Sequence, residues 1–433
     1  MMGVTTGIEW TDATWNPLRG CSRVSEGCRN CYAERVAFRF RGPGQPYEGL
    51  AVLRNGQPGW AGKVELVEKH LLDPLKWKPV IAHLPDCKRS FDKGNEYCGC
   101  TRPRRIFVNS MSDLFHELVP DAWIDRIFAV MALCPQHTFQ VLTKRPERMR
   151  DYLCRREESG PAWRRHAVWN AMASIDEGLG MPEPQWPLPN VWLGVSVENQ
   201  AAADERIPLL LKTPAAVRFV SAEPLLGAVD MTLAVDGCPM RGRIEVGTYD
   251  TLAGSWWPAL GNADAEYRGR QEELPHLDWV ICGGESGPGA RPMHPDWARS
   301  LRDQCKAASV PFFFKQWGEW ARTGSVDTYG RVVDGVEIKG RKYPNSEGVS
   351  MLRDGRVCLK DFTVEEHRLR MKSGEAYSSA AITVDAEALR AFHASLDSSV
   401  ENELGYEWMY RVGKHAAGAQ LDGVEYKQFP EAR

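Results

Sequence analysis

Short unbroken apolar runs alternate along the chain with longer stretches in which apolar residues recur every three or four positions. The runs RIFVNSMSD (105–113), FQVLTKR (139–145), VWLGVSVEN (191–199), VRFVSAEP (217–224) and DWVICGGES (278–286) each close on a polar cluster. ATWNPLRG (13–20) supplies a first strand and PFFFKQWG (311–318) a last one. Runs that stay apolar, instead of alternating with polar residues, mark strands covered on both faces, as in a parallel sheet. DAWIDRIFAVMALCP (121–135), NQAAADERIPLLLKT (199–213) and HPDWARSLRDQCKAAS (294–309) have the spacing of crossover helices. The alternation predicts an α/β fold, a partial (β/α) TIM-type barrel of six or seven parallel strands, over residues 1–320.

Insertions interrupt this pattern at 35–103, 155–190 and 236–276, the last reading as a Gly- and Trp-containing loop. Beyond residue 320, short strands and turns and then a helix over 385–396 predict a small C-terminal appendage, 321–433, packed on the barrel. In barrels of this type the loops that follow the strands build the active site. The polar clusters fall at those ends: Asn109, Ser110, Ser112 and Asp113; Thr143, Lys144 and Arg145; Ser196 and Glu198; Ser221 and Glu223; Gly283, Gly284 and Glu285. They mark candidate active-site positions.

Charge narrows the partners only a little. The 433 residues carry 54 basic and 57 acidic side chains, which excludes a uniformly basic nucleic-acid coat and permits a local basic cleft. One stretch suits such a cleft: Arg155, Arg156, Trp163, Arg164, Arg165, His166 and Trp169 offer cations for phosphates and rings for bases, although a solvated amphipathic helix has the same composition. No apolar run reaches the roughly 18 residues of a membrane span, and MMGVTTGIEWTDATW lacks the basic start and apolar middle of a signal peptide. The expectation is a soluble cytoplasmic protein with no membrane partner. In a reducing compartment its 12 cysteines are thiols rather than disulfides. Cys134, Cys154, Cys282, Cys305 and Cys358 stand apart and read as structural thiols.

Cys21, Cys28 and Cys31 do not stand apart. They have the spacing C-x6-C-x2-C in GCSRVSEGCRNCYAE (20–34), directly after the first predicted strand. Three readings are open. Two of the three could pair as a disulfide; a structural zinc would need a fourth ligand from elsewhere; a four-iron cluster held by three thiolates would keep one iron open. His83, Cys87, Cys98 and Cys100, in HLPDCKRSFDKGNEYCGCTRPRR, form a candidate second metal site, for zinc or an auxiliary cluster, or are free thiols. No catalytic triad signature, P-loop or dinucleotide fingerprint occurs.

Three cysteines directly after the first strand of a (β/α) barrel resemble the radical S-adenosylmethionine enzymes. Taken with WNPLRGCSRVSEGCRNCYAE, FVNSMSDLFH, VLTKRPERM, SAEPLL, VICGGESG, FFFKQWGEW and RVGKHAAGAQLDG, the chain resembles a phage-type radical-SAM-like family associated with thymidine hypermodification in phage DNA. The likeness runs over about 7–320 and 409–430. It implies that Cys21, Cys28 and Cys31 hold a 4Fe-4S cluster whose open iron chelates S-adenosylmethionine, and that reduction releases a 5′-deoxyadenosyl radical. By strand order it places Ser112 and Asp113 near the methionine amino group, Lys144 on a carboxylate, and Ser196 and Glu198 on the methionine carboxylate or a ribose. Ser221, Glu223 and the Gly283, Gly284 and Glu285 segment would complete the nucleoside site. The implied reaction is a radical rearrangement, an isomerisation, of an amino-acid-modified thymidine, with a flavodoxin or ferredoxin as electron donor, in the host cytoplasm if the protein is phage-encoded. A free nucleotide or a peptide is the alternative substrate. Outside this chemistry stand a zinc-stabilised, non-catalytic nucleic-acid- or protein-binding module and a hydrolytic barrel enzyme. The sequence departs from the common C-x3-C-x2-C spacing: the first gap is six, Asn30 precedes the third cysteine where an aromatic residue is usual, and Tyr32 follows it.

Overall fold

A computed structural model describes residues 6–81, 101–154, 163–176, 182–236, 246–258, 275–322, 348–352, 357–358, 406–411 and 414–430. At its centre are seven strands: β1 (Ala13–Trp15), β2 (Arg104–Val108), β3 (His137–Thr143), β4 (Val191–Ser196), β5 (Val217–Ala222), β6 (Trp279–Gly283) and β7 (Phe312–Gln316). All neighbouring pairs are parallel, and spatial order equals chain order. The sheet curls into a half barrel flanked by helices, the partial barrel that the sequence predicts. The predicted helices are present as α2 (Asp121–Ala132), α5 (Gln200–Leu211) and α6 (Pro295–Ala307), joined by α1 (Tyr32–Arg39), α3 (Pro146–Cys154) and α4 (Trp163–Ile175).

Both faces of the sheet are apolar, which is why its strands read as unbroken runs. Outward residues such as Ile106, Val108, Val141, Leu193, Val195 and Val280 pack with Ile124, Ile127 and Phe128 of α2, Ile207 and Leu210 of α5 and Leu301 of α6 in the main core. Inward residues form a separate cluster, Phe107, Trp192, Val217, Phe219, Trp279, Ile281 and Phe313, together with Trp10 from the segment before β1. Trp279 is its hub, with ring centroids of Phe219, Trp192, Phe313 and Trp10 between 5.7 and 6.4 Å away.

The inward positions change character along each strand. On β4 they run Trp192, Gly194, Ser196; on β5, Val217, Phe219, Ser221; β4 and β5 pair these residues directly, in register. Aromatic side chains therefore fill the foot of the half barrel, and hydroxyl and charged groups line its C-terminal mouth. Gly194 is what lets the foot fill: a Cβ there would meet the Phe219 ring at 2.5 Å.

One insertion differs from its loop reading. The segment read as loop over 236–276 contains, in its described part, the strands Val246–Asp250 and Ser255–Pro258, which join Thr232–Asp236 at its start in an antiparallel sheet. The two strands inside the segment are short and carry Gly247 and Pro258, so no run long enough to read as a strand appears there. The insertion at 35–103 begins inside α1 and carries a hairpin, Ala51–Arg54 with Gln57–Trp60, turning on Asn55 and Gly56 with φ of 49° and 75°. An Asn-Gly pair suits that left-handed turn. After β7, Trp320–Arg322, Tyr406–Arg411, Gly348–Leu352 and Val357–Cys358 form a four-stranded antiparallel sheet. Residues 426–429 return to the foot, where Lys427 bridges to Phe313 and Trp279 Nε1 donates to the Gln428 carbonyl at 2.9 Å. The helix predicted over 385–396 lies outside the described residues.

Replacing Gly194 by Ala forces the Phe219 ring to move in a filled interior. Overpacking of this kind costs about 2 kcal/mol, and urea unfolding of Gly194→Ala should show that loss; unchanged stability would mean the foot is loosely packed.

Candidate functional site

A cavity of about 280 Å³ opens at the C-terminal mouth. The three cysteines line it, brought there by different pieces of one loop: Cys21 follows the short strand Leu18–Arg19, Cys28 ends the single turn Glu26–Cys28, and Cys31 caps the N-terminus of α1. Below them lie Asp113, Lys144, Ser196, Ser221, Glu223, Gly284 and Glu285, with Trp10, Phe107 and Leu142 as the floor. Of the ten strand-end residues predicted to bind a ligand, all but Glu198 and Gly283 face this cavity.

Most of the charged residues already have protein partners. Asp113 accepts from Thr143 Oγ1 at 2.7 Å, the Lys144 amide at 3.1 Å and Arg145 at 3.1 Å. Lys144, expected to meet a carboxylate, meets the protein's own: its ammonium pairs with Glu198. Glu198 is 1 % exposed and also takes Arg206 and Ser25, each at 3.0 Å, so it anchors the cysteine loop from beneath and does not line the cavity. Burial alone would raise its pKa, but Lys144 and Arg206 hold it below the ordinary value. Glu285 shows the same balance: burial raises it, while Arg291 and Asn30 bring it below. Glu223 accepts from Ser221 at 3.1 Å and Trp10 at 3.2 Å and pairs with Lys315 at 2.8 Å. Gly283 sits behind the cavity wall, where a Cβ would press on Glu223. Ser112 donates to the Leu18 carbonyl at 3.1 Å and bridges to Gly20, tying the start of the cysteine loop to the end of β2.

The thiols are free and partly buried. Burial and the neighbouring Asp113 push the Cys21 pKa up to about 12, against the pull of Arg145, whose guanidinium lies 3.8 Å from the sulfur. Burial likewise raises Cys31. As bare thiols Cys21 and Cys31 are protonated, and a bound metal would have to displace those protons. Among the described residues no three His, Cys, Asp or Glu side chains are gathered as a set that could hold a metal ion. The loop thus presents three thiols to one cavity without drawing them together. His83, Cys87, Cys98 and Cys100 lie outside the described residues.

Lys315, Asn30 and Arg291 join the site without having been singled out from the sequence as candidate site residues. Lys315 was legible, because it sits two positions after the inward Phe313 on β7; Arg291 was not, since no pattern marks it. The basic stretch that includes α4 is corrected at Arg164. Arg164 is 2 % exposed and donates to Asp125 at 2.8 Å and Asp121 at 3.0 Å, which removes it from any phosphate-binding face. Arg165 pairs with Glu183 at 2.8 Å. Arg155 and Arg156 lie outside the described residues. No described helix is long and apolar enough to cross a membrane.

A family model described as "Protein of unknown function (DUF5131)" matches residues 5–430, nearly the whole chain. No curated protein and no solved structure matches it.

Since the folded pKa of Glu198 lies below its ordinary 4.5, the stability it contributes is complete above that pH and disappears as pH falls through the depressed value. Glu198→Gln leaves Lys144 and Arg206 without their carboxylate and should cost about 3 kcal/mol at neutral pH. In urea unfolding from pH 7 downward, the gap to the wild type should narrow only below pH 4.5; a constant gap would mean that charge is not what Glu198 provides.

Proposed function

The chain belongs to the DUF5131 family, whose description assigns no function, and from the chemistry of its mouth we propose that it is a radical S-adenosylmethionine enzyme. The observation that carries this reading is the arrangement of Cys21, Cys28 and Cys31 around one cavity at the C-terminal end of a parallel half barrel. By number and kind the donors suit a four-iron cluster once the loop draws them together: three thiols would hold three irons, and the fourth iron would be left to the cofactor. When bound, such a cluster would supply the electron that lets S-adenosylmethionine begin hydrogen-atom abstraction from a substrate.

The chain's own side chains would orient and shield. The aromatic floor of Trp10 and Phe107 closes the cavity toward the foot, which limits the water that reaches a reactive centre. Lys315 and Glu223 offer opposite charges side by side, a match for a group with both an ammonium and a carboxylate. Ser196 and Ser221 add hydroxyls on neighbouring strands. This polarity suits the substrate implied by the sequence resemblance, an amino-acid-modified thymidine in phage DNA, and the reaction would be its radical rearrangement. A thymidine in duplex would have to be flipped out of the stack to enter. A flavodoxin or ferredoxin would be the electron donor.

Anaerobic reconstitution with iron and sulfide, reduction and addition of S-adenosylmethionine test the reading directly. About four irons per chain and 5′-deoxyadenosine that disappears in Cys21→Ala, Cys28→Ala and Cys31→Ala are expected. Stoichiometric zinc, no iron and no cofactor cleavage would overturn it in favour of a zinc-stabilised binding module. Modified DNA, the free nucleotide and peptides, supplied in turn, separate the substrate classes by the rearranged product.

A further inference from the structure

The six residues between Cys21 and Cys28 reach across the mouth. Ser25 Oγ donates to Glu198 at 3.0 Å, and Gly27 lies so close to the same carboxylate that a Cβ would overlap it. On the opposite side Asn30 Nδ2 donates to Glu285 at 2.9 Å. Arg291, bonded to Glu285 at 2.7 Å, donates to the Glu26 carbonyl at 3.0 Å. Glu198 follows β4 and Glu285 follows β6, strands separated by β5. The loop has little regular structure of its own: within the gap only the turn Glu26–Cys28 forms, and its cap residue, Ser25, makes no capping bond because its hydroxyl goes to Glu198.

We propose that Glu198 and Glu285 are positioning residues for the three cysteines: the long gap carries Ser25 and Gly27 onto one strand end, Asn30 reaches another, and the barrel thereby sets the placement of Cys28 and Cys31. This rests on reading the three cysteines as a cluster site. The loop side of each contact with Glu198 and Glu285 is uncharged, while Lys144, Arg206 and Arg291 already balance both carboxylates. Substitutions in the loop therefore release it without stripping a buried charge of its partner, so placement and fold stability can be separated.

The variants are Gly27→Ala, whose methyl would push the loop off Glu198, and Asn30→Ala, which removes the tie to Glu285. Three readouts are compared with the wild type: apoprotein melting by circular dichroism, alkylation of Cys28 by iodoacetamide followed by mass spectrometry, and iron content with the electron paramagnetic resonance spectrum after anaerobic reconstitution. Unchanged melting, faster alkylation and iron retention against a chelator weakened roughly tenfold or more are expected, the scale on which ligand-orienting partners act. Variants that keep the wild-type spectrum, iron content and alkylation rate would overturn the proposal and leave the cluster reading standing. A wild type that takes up no iron would overturn the cluster reading itself; the alkylation comparison then decides the docking alone, and equal rates would refute it.

Discussion

A parallel sheet that curls without closing has a concave face to fill, and the manner of its filling governs everything else in this molecule. Neighbouring strands pair their inward residues in register, with one shift between β6 and β7 at Cys282 and Gly283, and at the foot those residues are rings packed around Trp279. Dispersion and removal of apolar surface from water make that end dense. Because the rings occupy the lower part, the room left is at the mouth, where the same alternation delivers Ser196, Ser221, Glu223 and Lys315. The position of the cavity is thus a consequence of packing: it lies where the large side chains stop.

Charge at the mouth follows a second constraint. Glu198 with Lys144 and Arg206, Asp113 with Arg145, Glu285 with Arg291 and Glu223 with Lys315 each set a carboxylate against a cation of the protein. Buried ion pairs of this kind add little net stability, because desolvation offsets much of the attraction. What they do provide is fixed geometry, since each carboxylate is held by more than one bond. Asn109, at the end of β2, adheres to the same pattern: it holds the left-handed φ of 62°, uncommon for a residue with a side chain, while its Oδ1 accepts from the Leu18 amide ahead of the cysteine loop.

Strand positions were legible because burial on both faces leaves a plain mark: all six residues of β4 are buried, and its sequence is correspondingly apolar. Eight strand-end residues could be placed at the mouth by strand order alone. The pairing of Lys144 with Glu198 could not be read, since 54 residues separate them and nothing local joins them. Arg164 misled because residue type stands in poorly for exposure; its partners Asp121 and Asp125 are one turn apart on α2, a complementarity that only the packing of α4 on α2 makes visible. Short strands such as Thr232–Asp236 escaped because pairing, rather than periodicity, defines them.

Strand order along the sheet equals order in the chain, so each strand can join the edge left by its predecessor as the chain emerges from the ribosome. The foot breaks that progression. Lys427 pairs with Glu9, 418 residues earlier, and Phe429 lies under the Arg105 guanidinium, 3.8 Å from its ring centroid, and beside Trp279, 5.2 Å between centroids. Synthesis can therefore lay down all seven strands while the ring cluster still has one side wet. Residues 427–429 act as a latch on Glu9, Arg105 and Trp279, and completion of the interior waits until the chain has been made that far.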